Sequence, residues 1–410
     1  MNSIDIYIKR TFSLHGLVLI YFLLLLFFGK TFTKFSIAGP LYLHDVYLFM
    51  LTGLAINKGK LKLRFPAIQV IIALAVIYFI VSLIQAVVQH GYFLMVIRQF
   101  YLFVYLACSY LIFNSLISEP ADTKKPIYLI ALIARVSVII QVIFIVTSYI
   151  FVPQFSIFKP SDYNYFSPLV VMGIIVYGAY LLAYQKNNLL LYIKFFFVLL
   201  LSFTLGHSSA FFALFLIFLT YLFIRIKPLQ RIIAVLLIVC AIAVLFLFPQ
   251  FRDHNANWRL LYWKHILTAA IKNKYLLFGS GFGKPFMTYD YAVYIQKAIG
   301  SSGMVDEFYP MARYLSPPHN SILTIIFHIG LLPGLLIFRP LNRFFSQIFI
   351  KPFTGNAHAN FLIFSLVGCL VWICFNVILE LPHSSTFFWL VYFTTVYYLS
   401  LNTSKPKSST

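Results

Sequence analysis

Six ionisable side chains stand where so apolar a chain should hold few. Asp45, Arg98, Asp162, His207, His319 and Glu380 lie inside or at the ends of hydrophobic runs. Such positions are expensive in lipid and mark functional sites by default. Together they offer a cation, carboxylates and imidazoles, enough to hold an anionic leaving group and to take a proton from a hydroxyl. The densest cluster is Pro317-Pro318-His319-Asn320-Ser321, directly ahead of an apolar run. The prolines fix the backbone near a helix start, and Asn320 or Ser321 can cap the first turn. A neutral imidazole at His319 would serve as a general base near pH 7, or as a plain cap that meets lipid headgroups. No second His, Asp or Glu follows at metal-ligand spacing, so neither a metal nor another cofactor is expected.

These residues need elements to carry them, and composition says which kind. The chain has 410 residues, 61% of them hydrophobic, 19% aromatic and only 10% charged. A soluble domain carries about 25% charged residues, so an all-α polytopic membrane protein is expected. Twelve runs are long and apolar enough to count: 11–28, 40–56, 66–89, 93–114, 127–150, 165–185, 189–205, 209–226, 231–248, 319–338, 358–379 and 385–401. They imply one integral membrane domain over residues 1–410, with a single large extramembrane loop at 249–318. All four cysteines (Cys108, Cys240, Cys369, Cys374) sit inside apolar runs as small core residues.

The net charge of +21 is distributed as topology selection would distribute it, not as a nucleic-acid surface. Lys58, Lys60, Lys62, Arg64, Lys124, Lys125, Lys186, Arg339 and Arg343 fall on one side, while the short loops opposite hold only Lys30, Lys34 and Lys159. The positive-inside rule places both termini in the cytoplasm and the 249–318 loop outside. On that topology Asp45 and Arg98 each lie about five residues, ~8 Å, below the outer face. Asp162, His207, His319 and Glu380 arrive at the same face, whereas Arg135 lies nearer the cytoplasm. Separate helices pointing polar groups at one level are how sites in bundles are built.

The outer loop adds two segments. In "NWRLLYWKHIL", Trp258, Leu261, Tyr262 and His265 share a helical face, which predicts an amphipathic helix along the membrane. Arg259 near its start can present a bidentate fork to phosphate or snorkel to headgroups. "FGSGFGKP" holds Gly279, Gly281 and Gly283 but matches no nucleotide fingerprint, so it reads as a flexible turn sooner than as a phosphate cradle.

With these motifs in order, the chain resembles the O-antigen ligase and polysaccharide polymerase superfamily of bacterial inner-membrane proteins, Wzy-type polymerases included. "DYNYFSPLVVMGI" (162–174), "TLGHSSAFFALFL" (204–216), "WRLLYWKHILTAAIKNKYLLFGSGFG" (258–283), "PPHNSILTIIFHIGLLPGLLIF" (317–338) and "NVILELPHSSTFFWLVYF" (376–393) are each similar to a family stretch. The resemblance covers about residues 160–400. It implies a GT-C-like architecture, an undecaprenyl-diphosphate-linked oligosaccharide donor, an outward (periplasmic) active site and metal-independent inverting transfer. It also brings His319 as catalytic base and Arg259 as diphosphate ligand, with membrane lipid and a chain-length regulator as partners. One departure matters: where the family often has arginine after serine, this chain has Ser208 beside His207. Arg98, with His207 assisting, is expected to replace that charge, and Asn320, Glu380, Asp45 and Asp162 are expected to support the site.

Within this class, polymerisation of lipid-linked repeats and ligation of a finished glycan to lipid A-core share donor and motifs. From another class, a lipid-linked glycan flippase or transporter also suits many spans. Against it, the two halves show no internal repeat and no matching pair of Gly/Pro-broken spans.

Overall fold

Long apolar runs leave the backbone no solvent to bond with, so each must satisfy its own N–H and C=O groups as a helix. The computed structural model describes residues 13–38, 41–58, 62–89, 93–117, 124–151, 167–205, 208–224, 254–299, 317–349 and 356–402, nearly all of them helical. Helix α1 (Leu14–Lys34) bends at Gly29 and leads into a small antiparallel ribbon, β1 (Ser36–Ala38) with β2 (Leu41–Tyr42), in which Ser36 pairs with Tyr42. There follow α2 (Leu43–Asn57), α3 (Pro66–Val88), α4 (Phe93–Leu116), α5 (Lys124–Phe151), α6 (Pro168–Tyr184), α7 (Leu189–Phe203) and α8 (Ser208–Phe223). Then come α9 (His254–Lys272), α10 (Tyr289–Ile299), α11 (Ser321–Ile329), α12 (Leu331–Leu335), α13 (Asn342–Phe349), α14 (Ala357–Ile373) and α15 (Pro382–Asn402).

Among the described residues three helices, α3, α4 and α5, are long and apolar enough to cross a membrane; α6, α7, α8, α14 and the Leu14–Gly29 part of α1 are shorter apolar helices. The expected run 231–248 lies outside the described residues. The expected run 319–338 is not one helix: it breaks at Gly330, giving a nine-residue α11 and a five-residue α12. Glycine permits the break because φ there is +87°, a region closed to side chains that carry a Cβ.

Helix α15 sits at the centre. It packs on α1, α4, α5, α6, α13 and α14, and it is buried without interruption from Pro382 to Tyr397. A helix apolar on every side has to be enclosed, and its hydroxyls bond within the helix, as Thr386 does to Pro382 and Thr395 to Val391. The periphery is the reverse. Ile77, Ile80, Ile84 and Val88 on α3, Ile139, Ile143 and Ile150 on α5, and Ile193, Phe196 and Phe203 on α7 are all exposed. An apolar belt of that extent suits lipid and not water.

A second, smaller core forms where α9 and α10 meet α11: Tyr262, Ile266, Phe286, Met287, Ala292, Ile295 and Phe327. The buried face of α9 (Tyr262, Ile266, Ala270) therefore rests on protein, while Leu267 and Ile271 of the same helix are exposed. Tyr262, fully buried, is a packing residue.

Candidate functional site

The Pro-Pro-His-Asn turn is held from two sides. On its own chain, Asn320 Oδ1 accepts from the N–H groups of Ile322 (3.1 Å) and Leu323 (3.0 Å), so Asn320 is the cap of α11. His319 takes φ +51°, and its N–H closes a tight turn on the Pro317 carbonyl at 2.8 Å. A non-glycine residue there is uncommon and costs strain that its surroundings must hold. Those surroundings come from α9. The Trp263 indole N–H donates to the Pro318 carbonyl (2.7 Å), and the Trp258 ring meets the His319 ring edge-to-face, centroids 4.8 Å apart. Arg259 lies one turn before Trp263 on α9, on the side of the helix that faces the turn. Farther along α9, His265 stacks on Tyr291 at 3.7 Å, and burial lowers its pKa.

The glycine loop is neither flexible nor a phosphate cradle. Its N–H groups already have partners: Ser280 donates to Phe327 O (2.7 Å), Gly281 to His328 O (3.0 Å), Phe282 to Ser82 Oγ (2.9 Å) and Gly283 to Gln99 Oε1 (2.7 Å). Ser82 is six residues from the end of α3, so the loop runs ~9 Å inward along the bundle. Irregular backbone survives at that depth only when protein satisfies it, which α3, α4 and α11 do here. Gly279 and Gly330 stand back to back, and a Cβ on Gly279 would meet the His328 carbonyl at 2.4 Å. The sequence shows the glycines; the surface they lie against belongs to helices distant in the chain.

Beside this loop is a cavity of about 120 Å³, with Arg98 and Gln99 of α4, Pro317, Thr324 and His328 of the α11 segment, and Glu380 in its lining. Phe286, Met95 and Leu102 supply apolar walls. Arg98 is exposed and makes no ion pair among the described residues. Glu380 sits in the turn between α14 and α15. Its Oε2 accepts from Ser321 Oγ at 2.5 Å, and Ser321 Oγ in turn accepts from the N–H groups of Ile378 (3.0 Å) and Leu379 (3.1 Å). Glu380 Oε1 is buried with no hydrogen-bond partner among the described residues. Burial raises the pKa of this carboxyl, against the lowering effect of the hydrogen bond from Ser321.

His328 also lines the cavity, and sequence reasoning passed over it. Its Nδ1 lies 3.0 Å from the Gly281 carbonyl. A carbonyl only accepts, so Nδ1 carries the proton and a neutral ring keeps its lone pair on Nε2. A signal was available: Ser321, Thr324 and His328 recur at i, i+3 and i+7, a polar stripe on an otherwise apolar helix.

Of the residues expected to form the site, Arg98 and Glu380 line the cavity together, and Asn320 caps the helix beside it. His319 is not in the lining but follows Pro317, which is, by two residues. Asp45 belongs elsewhere. It caps α2 through the Tyr42 N–H (3.1 Å), pairs with His44 (2.8 Å) and accepts from Tyr105 (3.1 Å), wholly buried. Asp162 and His207 lie outside the described residues. Arg135 rests over the Tyr180 ring at 4.6 Å. Among the described residues no three His, Cys, Asp or Glu side chains converge as metal ligands would. No protein-family model and no curated protein matches the chain.

Proposed function

We propose that this chain is a membrane glycosyltransferase that joins undecaprenyl-diphosphate-linked oligosaccharide repeats into a longer polysaccharide at the outer face of the bacterial inner membrane. The observation that carries the reading is one end of the bundle. There a cation, a carboxylate and an imidazole from three separate segments line a polar cavity, two residues from a strained His319 braced by tryptophan.

The chemistry requires a clamp, a base and a place for sugars. The leaving group is a diphosphate whose charge grows as the glycosidic bond breaks, and fixed cations stabilise that growth. Arg259, beside the Pro-Pro-His-Asn turn, suits this task. The attacking hydroxyl must lose a proton as it bonds to the anomeric carbon, and in this reading His319 takes it. A single displacement follows, with inversion and no covalent glycosyl-enzyme. The exposed apolar belt lets the lipid tails of both substrates stay in the bilayer.

A deletion strain tests the class of reaction. Loss of a polymerase leaves lipid A-cores capped by one repeat. Bare cores would assign ligation instead, and an unchanged glycan ladder would refute both.

A further inference from the structure

The cavity poses a hydrogen-bonding question of its own, separate from where the diphosphate sits. Three facts constrain what can fill it. Glu380 Oε1 is a buried acceptor with no partner among the described residues, and such an atom costs free energy until something donates to it. The neutral ring of His328, its Nδ1–H spent on Gly281, has only the Nε2 lone pair to offer the cavity, a second acceptor. Arg98 is the donor opposite, and the lining pairs this one cation with one carboxylate.

A diphosphate has no donors at neutral pH. It could satisfy Arg98 but neither Glu380 Oε1 nor His328 Nε2, and it would face the carboxylate. A lipid tail could satisfy none of the three. A ligand that fits must donate to two acceptors, accept from a guanidinium and lay an apolar face on Phe286 and Leu102. Sugars do this, because each ring carries hydroxyls that both donate and accept around a C–H face.

We propose that the cavity bounded by Arg98, Glu380 and His328 is a sugar-binding subsite, and that it holds the non-reducing end of the acceptor repeat. This rests on the glycan-polymerase reading and refines it: Pro317 lines the cavity and His319 follows it by two residues, so the base of that reading and the subsite belong to one turn of the chain. Arg98 then serves the acceptor sugar, leaving the diphosphate to Arg259. His328 is at once an anchor of the glycine loop and a hydroxyl acceptor.

Two conservative variants separate these roles. His328→Asn places an amide N–H near the former Nδ1–H, so the bond to Gly281 can persist while the Nε2 acceptor is lost. Glu380→Gln keeps an acceptor for Ser321 and removes the charge. The probes are the strain's repeat oligosaccharide, freed of lipid and phosphate by mild acid, and undecaprenyl diphosphate without sugar, each titrated against the purified full-length protein. Both variants are expected to lose about tenfold in affinity for the oligosaccharide, the scale of one hydrogen bond to a charged or fixed acceptor, while binding undecaprenyl diphosphate as wild type does. Wild-type affinity for the oligosaccharide in both variants, or an equal loss for both probes, overturns the subsite. Wild-type protein that binds the oligosaccharide yet never lengthens lipid-linked repeats overturns the polymerase reading and leaves the sugar site standing.

Discussion

At the scale of single residues, the site divides by what each side chain can still do. Asn320 and Asp45 have spent their oxygens on helix caps, and Ser321 links the cap of α11 to the turn that carries Glu380. His319 differs, because its backbone is strained in a tight turn and its ring is braced by Trp258. In cells, His319→Ala is expected to cut polymer formation by about 10²–10⁴-fold, the usual weight of a general base, at unchanged protein level. A normal glycan ladder from that strain would remove His319 from the chemistry. The Pro-Pro-His-Asn turn, Arg98 and Glu380 were legible in the sequence, since a polar residue in an apolar run announces itself. His328 was not, because one histidine in "TIIFHIG" reads as a satisfied core residue until the carbonyl that fixes its tautomer is seen.

At the scale of elements, the account depends on the glycine loop gripping the break between α11 and α12. Leu331 N–H and Leu332 N–H donate to the carbonyls of Leu276 (2.8 Å) and Leu277 (3.1 Å), so the two segments lock backbone to backbone. A Cβ on Gly330 would meet the Leu277 carbonyl at 2.3 Å. Gly330→Ala is therefore expected to destabilise by about 1–2 kcal/mol for the positive φ and a further ~1–3 kcal/mol for the clash. The melting temperature in detergent checks this, and an unchanged value would mean the loop is not clamped. The α9–α10 contact adds a pH dependence. Burial holds the pKa of His265 below its ordinary value near 6.5, so the undocked state takes the proton more readily. Its contribution is complete above about pH 6.5 and fades as pH falls toward the lowered folded value. His265→Gln should flatten the loss of melting temperature between about pH 7 and pH 5. An identical slope in the variant would place the titration elsewhere. The break at Gly330 was hidden in sequence because 319–338 is apolar enough to read as one span.

At the scale of the whole molecule, the all-helical class and the recurrence of apolar runs followed from composition alone. The lipid-like belt on α3, α5 and α7 is the exposed face of those same runs. What composition does not encode is the arrangement: α15 as the enclosed centre, and a cavity at one end that gathers Arg98, His328 and Glu380 from three separate segments. The direct measurement is glycan length after purified protein, reconstituted in liposomes, is incubated with undecaprenyl-diphosphate-linked repeats alone. The account predicts a ladder of longer glycans with stoichiometric release of undecaprenyl diphosphate, both absent with His319→Ala. Repeats that cross the bilayer unlengthened, or remain unchanged beside a folded protein, would contradict it.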